Sequence, residues 1–544
     1  MALLCELPEK VLGLVLHEYV HEPAPASVAF KRSLPLLAVC QKLRRLALPL
    51  VYSCVFVQYG SKPRPQMSDH MAFTTPSDGK AEPAVAATNA PLVESAGLAG
   101  AVTRAVVDVY YLDNPLPGLA KAVKAMQESA GAWAKAVDLE VAMHPDFIAS
   151  LAHGPSAAEH AGAIGNACGA LRKLVPDVRR LVLDTDSQDA VVSAVYGRLA
   201  GFFAKQLHSL HCARPIDHQP GHRFTQLRSL HYDCNNNHSH PLPLVDAGQL
   251  ERLTLRNLAA DHPWTSFSGG TAGEITFGKL RLLDLEYRGA REPSKFAASR
   301  QSNSSSKAKL HFSALAAVRL VCFADSCPLL EQAVLPAHMQ RVELRAPPAV
   351  YRAAAKRGLP TARRLALAVE AGTDAVPKIF PSLNQLLDRA QGSEQVEVVV
   401  NDAELPVLPR SIKAANLTWL AVAAPTSTAS VAAILQRFPG LAHLDVPDLA
   451  LDNGPLDLAL PEPDSTTRLA PLSTSLRKLT LGVDNINQVP GRLPAIAQYL
   501  LLRLPALARL VAPDVGRQAM VGLVEKYATA YPHLAGVSLY ISQH

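Results

Sequence analysis

The chain has 544 residues, a formal net charge of +6 and 18% charged residues. Its basic side chains are scattered along the sequence and do not cluster with aromatic residues, which argues against a nucleic-acid-binding protein. Glu6, Glu9 and Lys10 interrupt the apolar residues at the N-terminus, so no signal peptide is expected, and no apolar run reaches the length of a membrane span. We therefore expect a soluble protein of the cytoplasm or nucleus that binds neither nucleic acid nor membrane.

Residues 1–57 have the pattern of a small helical module. Pro8 suits the first turn of a helix, and apolar residues four apart then form a broad stripe. A second helical segment begins near Ser33 and is expected to end at Pro49. Two helices this short cannot bury both apolar faces against each other, so a partner surface is expected to cover them. The residues predicted at this surface are Leu7, Pro8, Val11, Leu12, Val15, Leu16, Leu36, Val39, Cys40, Leu43 and Leu46.

The order of these motifs, from Leu7-Pro8-Glu9 to Pro49-Leu50-Val51-Tyr52, resembles an F-box. That resemblance implies docking on the adaptor subunit of a cullin-based ubiquitin ligase, and through the adaptor on a cullin. The family usually has a tryptophan three residues after the cysteine, where this chain has Leu43. The connection from His21 to Arg32 is also longer than is usual in the family. The alternative is that the helices only cap a larger domain.

The next segment, residues 58–100, is rich in Gly, Ser, Pro, Thr and Ala and has little periodicity. This composition is typical of a flexible linker. Residues 106–110 and 137–141 then alternate as half-buried strands do, and a helix-compatible stretch follows each of them. We expect these strands to begin a larger strand-and-helix domain that covers residues 101–544.

A six-residue pattern recurs along this domain: an apolar residue, two variable residues, an apolar residue, one variable residue and an apolar residue. The starts are mostly about 20 to 35 residues apart, as in leucine-rich repeats. Helix-compatible stretches lie between them, so the pattern predicts an α/β solenoid with parallel strands on its concave face and helices outside. A Ser-rich loop is predicted near residues 294–309. The thirteen hexads begin at Val178, Leu207, Leu227, Leu250, Leu280, Leu315, Met339, Ala362, Leu417, Leu441, Leu476, Leu507 and Leu534.

A helical N-terminus followed by such an array is similar to F-box/leucine-rich-repeat proteins, in particular the divergent fungal-type members. The resemblance implies a substrate-recognition subunit whose solenoid binds a target protein. The runner-up is a leucine-rich-repeat scaffold that is not part of a ligase. Variable positions beside the last apolar residues of each hexad should face the concave sheet, where mixed charges suit protein recognition. The predicted target-binding residues are Asp184, His211, His231, Arg256, Asp284, Glu286, Arg319, Glu343 and Arg345.

Two further patterns have some of the residues of a ligand site. Residues 273–279 match the spacing of a phosphate-binding loop, but Leu280 stands where magnesium binding needs Ser or Thr. Seven histidines lie between His208 and His240, with Cys212 and Cys234 among them, yet their spacing is looser than metal ligands usually have. No catalytic motif is visible, and the eight cysteines include no C-x-x-C pair. We therefore expect a protein without enzymatic activity, cofactor or metal, and with reduced thiols.

Overall fold

The computed structural model describes residues 8–20, 26–60, 87–111, 114–145, 160–185, 187, 189–217, 222–234, 242–259, 264–268, 274–288, 309–369, 380–389, 392–400, 417–422, 426–446, 449–450, 469–482, 492–512, 521–522, 525–527 and 530–541. The chain divides into two compact units. The first comprises Met1–Leu258, His262–Thr271 and Ile275–Lys279, and the second comprises Ala259–Asp261, Ala272–Glu274 and Leu280–His544. Both contain helices and mainly parallel strands, which confirms the predicted α/β class.

The helices in the described residues are mostly short. Among them, α1, α2 and α3 belong to the N-terminal module, and 3-10 turns connect or precede several others. Their bounds are α1 Glu9–Val20, α2 Ala26–Ser33, α3 Gln41–Val51, α4 Ala90–Ser95, α5 Pro115–Gln127, α6 Ala130–Trp133, α7 Ala161–Leu174, α8 Ala190–Phe203, α9 Pro328–Gln332, α10 Pro348–Arg357, α11 Phe380–Arg389, α12 Thr428–Arg437 and α13 Arg492–Leu502.

The strands alternate with these helices along the chain. Their bounds are β1 Cys54–Tyr59, β2 Ala87–Thr88, β3 Arg104–Tyr111, β4 Asp138–Pro145, β5 Arg180–Asp184, β6 Ser209–Cys212, β7 Arg223–Phe224, β8 Ser229–Asp233, β9 Leu244–Asp246, β10 Arg252–Ala259, β11 Phe267–Ser268, β12 Glu274–Phe277, β13 Leu282–Arg288, β14 Lys309–Phe312, β15 Ala317–Cys322, β16 Ala333–Val334, β17 His338–Ala346, β18 Thr361–Val369, β19 Gln395–Val400, β20 Trp419–Ala421, β21 Thr426–Ser427, β22 His443–Val446, β23 Leu449–Ala450, β24 Lys478–Leu481, β25 Arg509–Ala512 and β26 Ser538–Ile541.

The described residues of the N-terminal module contain three α-helices where the sequence predicted two. The segment that was expected to be a long connection forms α2, and a 3-10 turn over Leu34–Ala38 joins it to α3. Pro49 does not end the second predicted helix, because α3 continues through it to Val51. A proline in the last turn of a helix lacks only one backbone hydrogen bond, which the rest of the helix tolerates.

The main sheet of the first unit has the strand order β2-β1-β3-β4-β5-β6-β8-β10. All neighbours are parallel except the short edge strand β2, which is antiparallel to β1. Leu139, Leu181, Leu210, Leu230 and Leu253 lie side by side on adjacent strands and are buried. This leucine row forms the core beneath helices α5, α7 and α8.

Helix α5 lies close against the first strands. A Cβ atom at Gly118 would stand 2.7 Å from Cγ1 of Val109, so only glycine allows this approach. Tyr196 of α8 donates its buried hydroxyl to the carbonyl of Val141 at 3.0 Å. We call the opposite side of the sheet, whose side chains alternate with the buried leucines, the open face.

The second unit has two runs of parallel strands. One has the order β13-β15-β17-β18-β19, and the other has the order β20-β22-β24-β25-β26. A single bridge between Val398 and Val422 links β19 to the start of the second run. Each run again has a buried row, for example Leu444, Leu479 and Leu510, and an open face that alternates with it.

All thirteen predicted hexads contain a β-strand, and the strands pair in parallel. The pattern missed β19, and it also missed the short strands that form small sheets beside the main ones. Of the predicted linker 58–100, residues 61–86 lie outside the described residues, but β2 and α4 fold within the remainder. There the buried Asn89 accepts a hydrogen bond from Phe56 N at 2.9 Å and donates one to Cys54 O at 3.0 Å. The predicted loop 294–309 lies outside the described residues up to Lys309, where β14 begins.

Candidate protein-interaction surfaces

The N-terminal helices pack on the first two long strands of the sheet. Leu12 of α1, Phe30 of α2 and Leu43 of α3 lie in one buried cluster with Phe56 of β1 and Val106 of β3. The rings of Phe30 and Phe56 meet edge to face with centroids 5.8 Å apart. Because Phe56 and Val106 are register partners in the β1–β3 pair, the module covers the open face at this end of the sheet.

This packing divides the predicted adaptor-binding residues. Leu12, Leu16 and Leu43 are buried, so they hold the module on the sheet and do not face a partner. Val11 and Val15 are exposed. The surface available for docking is therefore narrower than the sequence predicted. The other predicted residues are the exposed Pro8, the partly buried Leu36, Val39, Cys40 and Leu46, and Leu7, which lies outside the described residues.

The outer side of α1 carries an exposed apolar ridge. Val11, Leu14 and Val15 have exposed fractions of 44%, 69% and 44%. Residues three and four apart share one face of a helix, so these side chains form a continuous strip, which we call the N-terminal ridge. Sequence reasoning missed Leu14, the most exposed of the three, because it does not lie four residues from the other predicted positions.

Polar contacts fix the helices behind this ridge. Arg45 of α3 forms an ion pair with Glu9 in the first turn of α1. The Sγ atom of Cys40 accepts a hydrogen bond from Leu43 N at 3.4 Å and so caps the N-terminus of α3. The Arg32 guanidinium lies 5.2 Å from the Tyr19 ring centroid. The first and third of these contacts tie α1 to the other two helices. They hold in place the helix that carries the ridge.

The open face of the first unit carries a stacked histidine pair. His211 and His231 are register partners on β6 and β8, and their ring centroids are 4.1 Å apart. Burial lowers the pKa of His211. Burial, together with the neighbouring His211 and Arg256, lowers the pKa of His231 to about 4. Both imidazoles are therefore neutral at neutral pH, which allows the rings to stack.

We expect acid to destabilise the first unit through this pair. The pKa of His231 falls from 6.5 to about 4 on folding, so the unfolded chain binds more protons below pH 6.5 and stability is lost as the pH drops toward 4. Because the His231 ring is only partly buried and solvent screens its charge, the loss at pH 5 should be about 1 kcal/mol. Denaturant unfolding of the His231→Asn variant at pH 7 and pH 5 should show a smaller loss than the wild type. His208→Asn, outside the stack, is the control, and equal losses in all three proteins would contradict the assignment.

The other predicted residues of this open face, Asp184 and Arg256, lie on the nearby strands β5 and β10. Asp184 is exposed at the end of β5, while Asp233 and Arg256 are half-buried register partners on β8 and β10. Asn257, whose φ is 51°, donates to both carboxylate oxygens of Asp233 at 2.8 and 2.7 Å. This bidentate contact holds the Asp233 side chain in one orientation beside the histidine pair.

Neither ligand site that the sequence offered is assembled in the described residues. No group of three or more His, Cys, Asp or Glu side chains there could hold a metal ion, and His218, His238 and His240 lie outside those residues. In the phosphate-loop match, Glu274–Phe277 is a strand and not a loop that opens a helix. Lys279 donates instead to Gln249 Oε1 at 2.8 Å.

The open face of the second unit carries a charge network centred on Arg319. Its Nε atom donates to Glu343 at 2.8 Å and its Nη1 atom to Asp284 at 3.3 Å, and all three residues are register partners. Burial alone would lower the pKa of Arg319, but the hydrogen bonds and charges of the two carboxylates raise it above its ordinary value. Arg341 also donates to Glu343 at 2.8 Å. The network is therefore a rigid, nearly charge-balanced patch.

We expect Arg319→Ala to destabilise the second unit by about 1 to 2 kcal/mol, because Asp284 and Glu343 would be left half-buried without their shared cation. Urea denaturation followed by circular dichroism measures the change. Arg363→Ala is a matched control: Arg363 pairs with Glu394, but both side chains are more than half exposed, so the cost should stay below about 0.5 kcal/mol. Equal costs for the two variants would mean that the network does not stabilise the unit.

The remaining predicted residues of this open face are Glu286 and Arg345. Glu286 accepts a hydrogen bond from Arg288 Nε at 3.4 Å, and Arg345 is exposed on β17. Glu397 of β19 lies on the same face, and the sequence analysis missed it together with its strand. Burial, and then the nearby Glu343, raise the pKa of Glu397. The negative charge of Glu343 therefore acts on Glu397, and the charge of Arg341 opposes it.

The chain matches no known protein-family model, and no curated protein matches it. In the part of the chain that the structure describes, no helix has both the length and the apolar character needed to cross a membrane.

Proposed function

We propose that this chain is the substrate-recognition subunit of a cullin-based ubiquitin ligase, in which the N-terminal helices dock on the adaptor and the open face of the strands binds a target protein. The observation that carries the proposal is the N-terminal ridge. Val11, Leu14 and Val15 stay exposed on a helix whose opposite side is fully engaged with the sheet. An apolar strip of this kind is an unusual feature for a surface helix unless a partner covers it.

The F-box resemblance supplies the identity of that partner. The motif order from Pro8 to Tyr52 resembles that of the adaptor-docking module. In this proposal Pro8, Val11, Leu14 and Val15 contact the adaptor, while Leu12, Leu16 and Leu43 orient the ridge from beneath. Leucine in place of the usual tryptophan fits a position that is buried within the module.

For the strands we propose a degenerate leucine-rich-repeat array. The recurrent hexads, their parallel pairing and the buried leucine rows support this architecture, because each repeat buries its leucines only against its neighbours. Each open face then displays mixed charges, held in place by pairs such as Arg319 with Glu343. Such faces favour one partner over others through charge complementarity. The chain itself would supply recognition and no catalytic chemistry.

The packing of the N-terminal helices on the strands favours a second function, that of a scaffold. Leu12 and Leu43 pack on Phe56 and Val106, so the helices also cap the first strands. In a leucine-rich-repeat scaffold that is not part of a ligase, the helices would serve only as this cap and would not dock on an adaptor. Affinity purification of the tagged chain from its source cell distinguishes the two functions. The ligase proposal expects the adaptor and a cullin among the captured proteins, whereas the scaffold expects neither.

A further inference from the structure

The last sheet of the second unit carries a row of basic and aromatic side chains. Trp419, His443, Lys478 and Arg509 are register partners on the adjacent strands β20, β22, β24 and β25. They alternate with buried leucines, so all four lie on the open face. We call these four residues the basic row. None of them was among the residues predicted to bind a target.

The cations of the basic row are not neutralised by carboxylates. Within the described residues, Lys478, Arg509 and the adjacent Arg477 form no ion pair with Asp or Glu. Arginines on the preceding strands differ, since Arg319 pairs with Asp284 and Glu343, and Arg363 pairs with Glu394. Arg509 instead lies over the ring of Tyr540, 3.9 Å from its centroid. That contact orients the guanidinium and leaves its hydrogen-bond donors available.

The cations of the basic row act on the titratable groups beside them. Burial, followed by the charges of Lys478 and Arg477, lowers the pKa of His443. Asp445 lies on the same face, where burial raises its pKa against the opposing effects of Lys478 and a hydrogen bond with Thr480. Asp445 therefore lies beside Lys478, with the carboxylate of Glu397 of β19 also near it, while the charges of Lys478 and Arg477 act on His443. The surface has an excess of positive charge that an anionic ligand would relieve.

We infer that the basic row binds an extended, acidic segment of a partner protein. Neighbouring strands lie about 4.8 Å apart, so the row spans about 14 Å, and the same-side residues of an extended peptide are about 7 Å apart. Two or three acidic side chains of one peptide therefore match the row. This inference goes beyond the proposed function, because it does not depend on whether an adaptor docks on the N-terminal ridge.

The surface suits a peptide better than a nucleic acid. Single-stranded nucleic acids need aromatic rings free to stack on successive bases as well as a track of cations. Arg509 lies over one face of the Tyr540 ring, and Trp419 is half-buried. In the described part of this sheet the cations are confined to neighbouring strands and form no long stripe. Carboxylate or phosphate groups on a short peptide require only that local charge.

Fluorescence anisotropy with the full-length protein tests the inference. The probe is a labelled peptide of about ten residues that alternates Glu and Ser, so that its carboxylates lie about 7 Å apart. A peptide with Gln in place of Glu is the neutral comparison. The same Gln peptide with phosphorylated serines separates a phosphate requirement from a carboxylate requirement. We expect an anionic peptide to bind at least about tenfold more tightly than the neutral one, and the difference to shrink at high salt.

The variant Lys478→Glu with Arg509→Glu should reduce binding of the anionic peptide at least about tenfold, because it places like charges opposite the ligand. Lys124→Glu with Lys173→Glu makes the same change in net charge on exposed helix positions of the first unit and should leave binding unchanged. An equal loss of peptide binding in both double variants would show that binding depends only on the net charge of the protein. That result would overturn the inference. Tighter binding of a single-stranded RNA of similar length would overturn it in favour of a nucleic-acid ligand. Circular dichroism of each variant confirms that it remains folded.

Discussion

Val11→Asp combined with Val15→Asp should weaken adaptor binding at least about a hundredfold while leaving the thermal midpoint nearly unchanged. Both valines are 44% exposed on the N-terminal ridge, so a carboxylate at either position remains solvated in the free protein. In the complex the same carboxylates would be buried in an apolar contact. Each valine also loses the roughly 1.5 kcal/mol or more that burial of an apolar side chain provides. Isothermal titration calorimetry with the purified adaptor measures the affinity.

The first unit offers a matched control for this double variant. Leu92 and Leu244 are also exposed, at 51% and 44%, but they lie outside the N-terminal helices. Leu92→Asp with Leu244→Asp adds the same charge and removes comparable apolar surface, so it should bind the adaptor as the wild type does. If both double variants lose binding equally, the ridge is not the docking site.

Leu12→Asp should have a different effect, a loss of about 3 kcal/mol or more in the free energy of unfolding of the first unit. Leu12 is 1% exposed and packs with Phe56 and Val106, so the substitution creates a cavity and buries a carboxylate without a partner. The N-terminal helices should detach from the strands, and adaptor binding should be lost as a consequence. Differential scanning calorimetry and urea denaturation measure the change in stability.

The neighbouring position provides the comparison. Val11→Asp alone should change stability by no more than about 0.5 kcal/mol, because its side chain faces solvent. A Leu12→Asp variant that keeps the wild-type stability yet loses the adaptor would place Leu12 on the docking surface, as the sequence pattern first indicated. That result would contradict the packing described for α1.

The strand pattern was the part of the fold that the sequence predicted well. Most hexads combine an apolar residue before the strand with two inside it, and the spacing of the last two follows from the two-residue period of a strand. The missed strand β19 shows the limit of the rule. Ser393 stands where its hexad would need the first apolar residue, and it is buried with its hydroxyl hydrogen-bonded to Ala362 O at 2.6 Å. A hydrogen bond replaces apolar contact there, which a hydrophobic pattern cannot detect.

The docking surface was predicted less well for a different reason. The apolar stripe of α1 is so broad that Val11 and Leu12 both belong to it, and its period alone cannot show which side meets the sheet. The answer depends on Val106, which lies far along the chain and outside the predicted module 1–57. Likewise Asp284, Arg319 and Glu343 were predicted to share a face, but their ion pairs depend on strand register. Tertiary partners decided both outcomes.

The central claim is that the intact chain binds a ubiquitin-ligase adaptor through the N-terminal ridge. The most direct measurement is calorimetric titration of the adaptor into the full-length protein, since residues 1–57 alone would lack Val106 from the cluster. We expect binding of one adaptor per chain with a dissociation constant of about 1 μM or tighter. The Val11→Asp, Val15→Asp variant should show none under the same conditions. A wild-type chain that shows no binding at about 100 μM adaptor would contradict the ligase function and leave the scaffold.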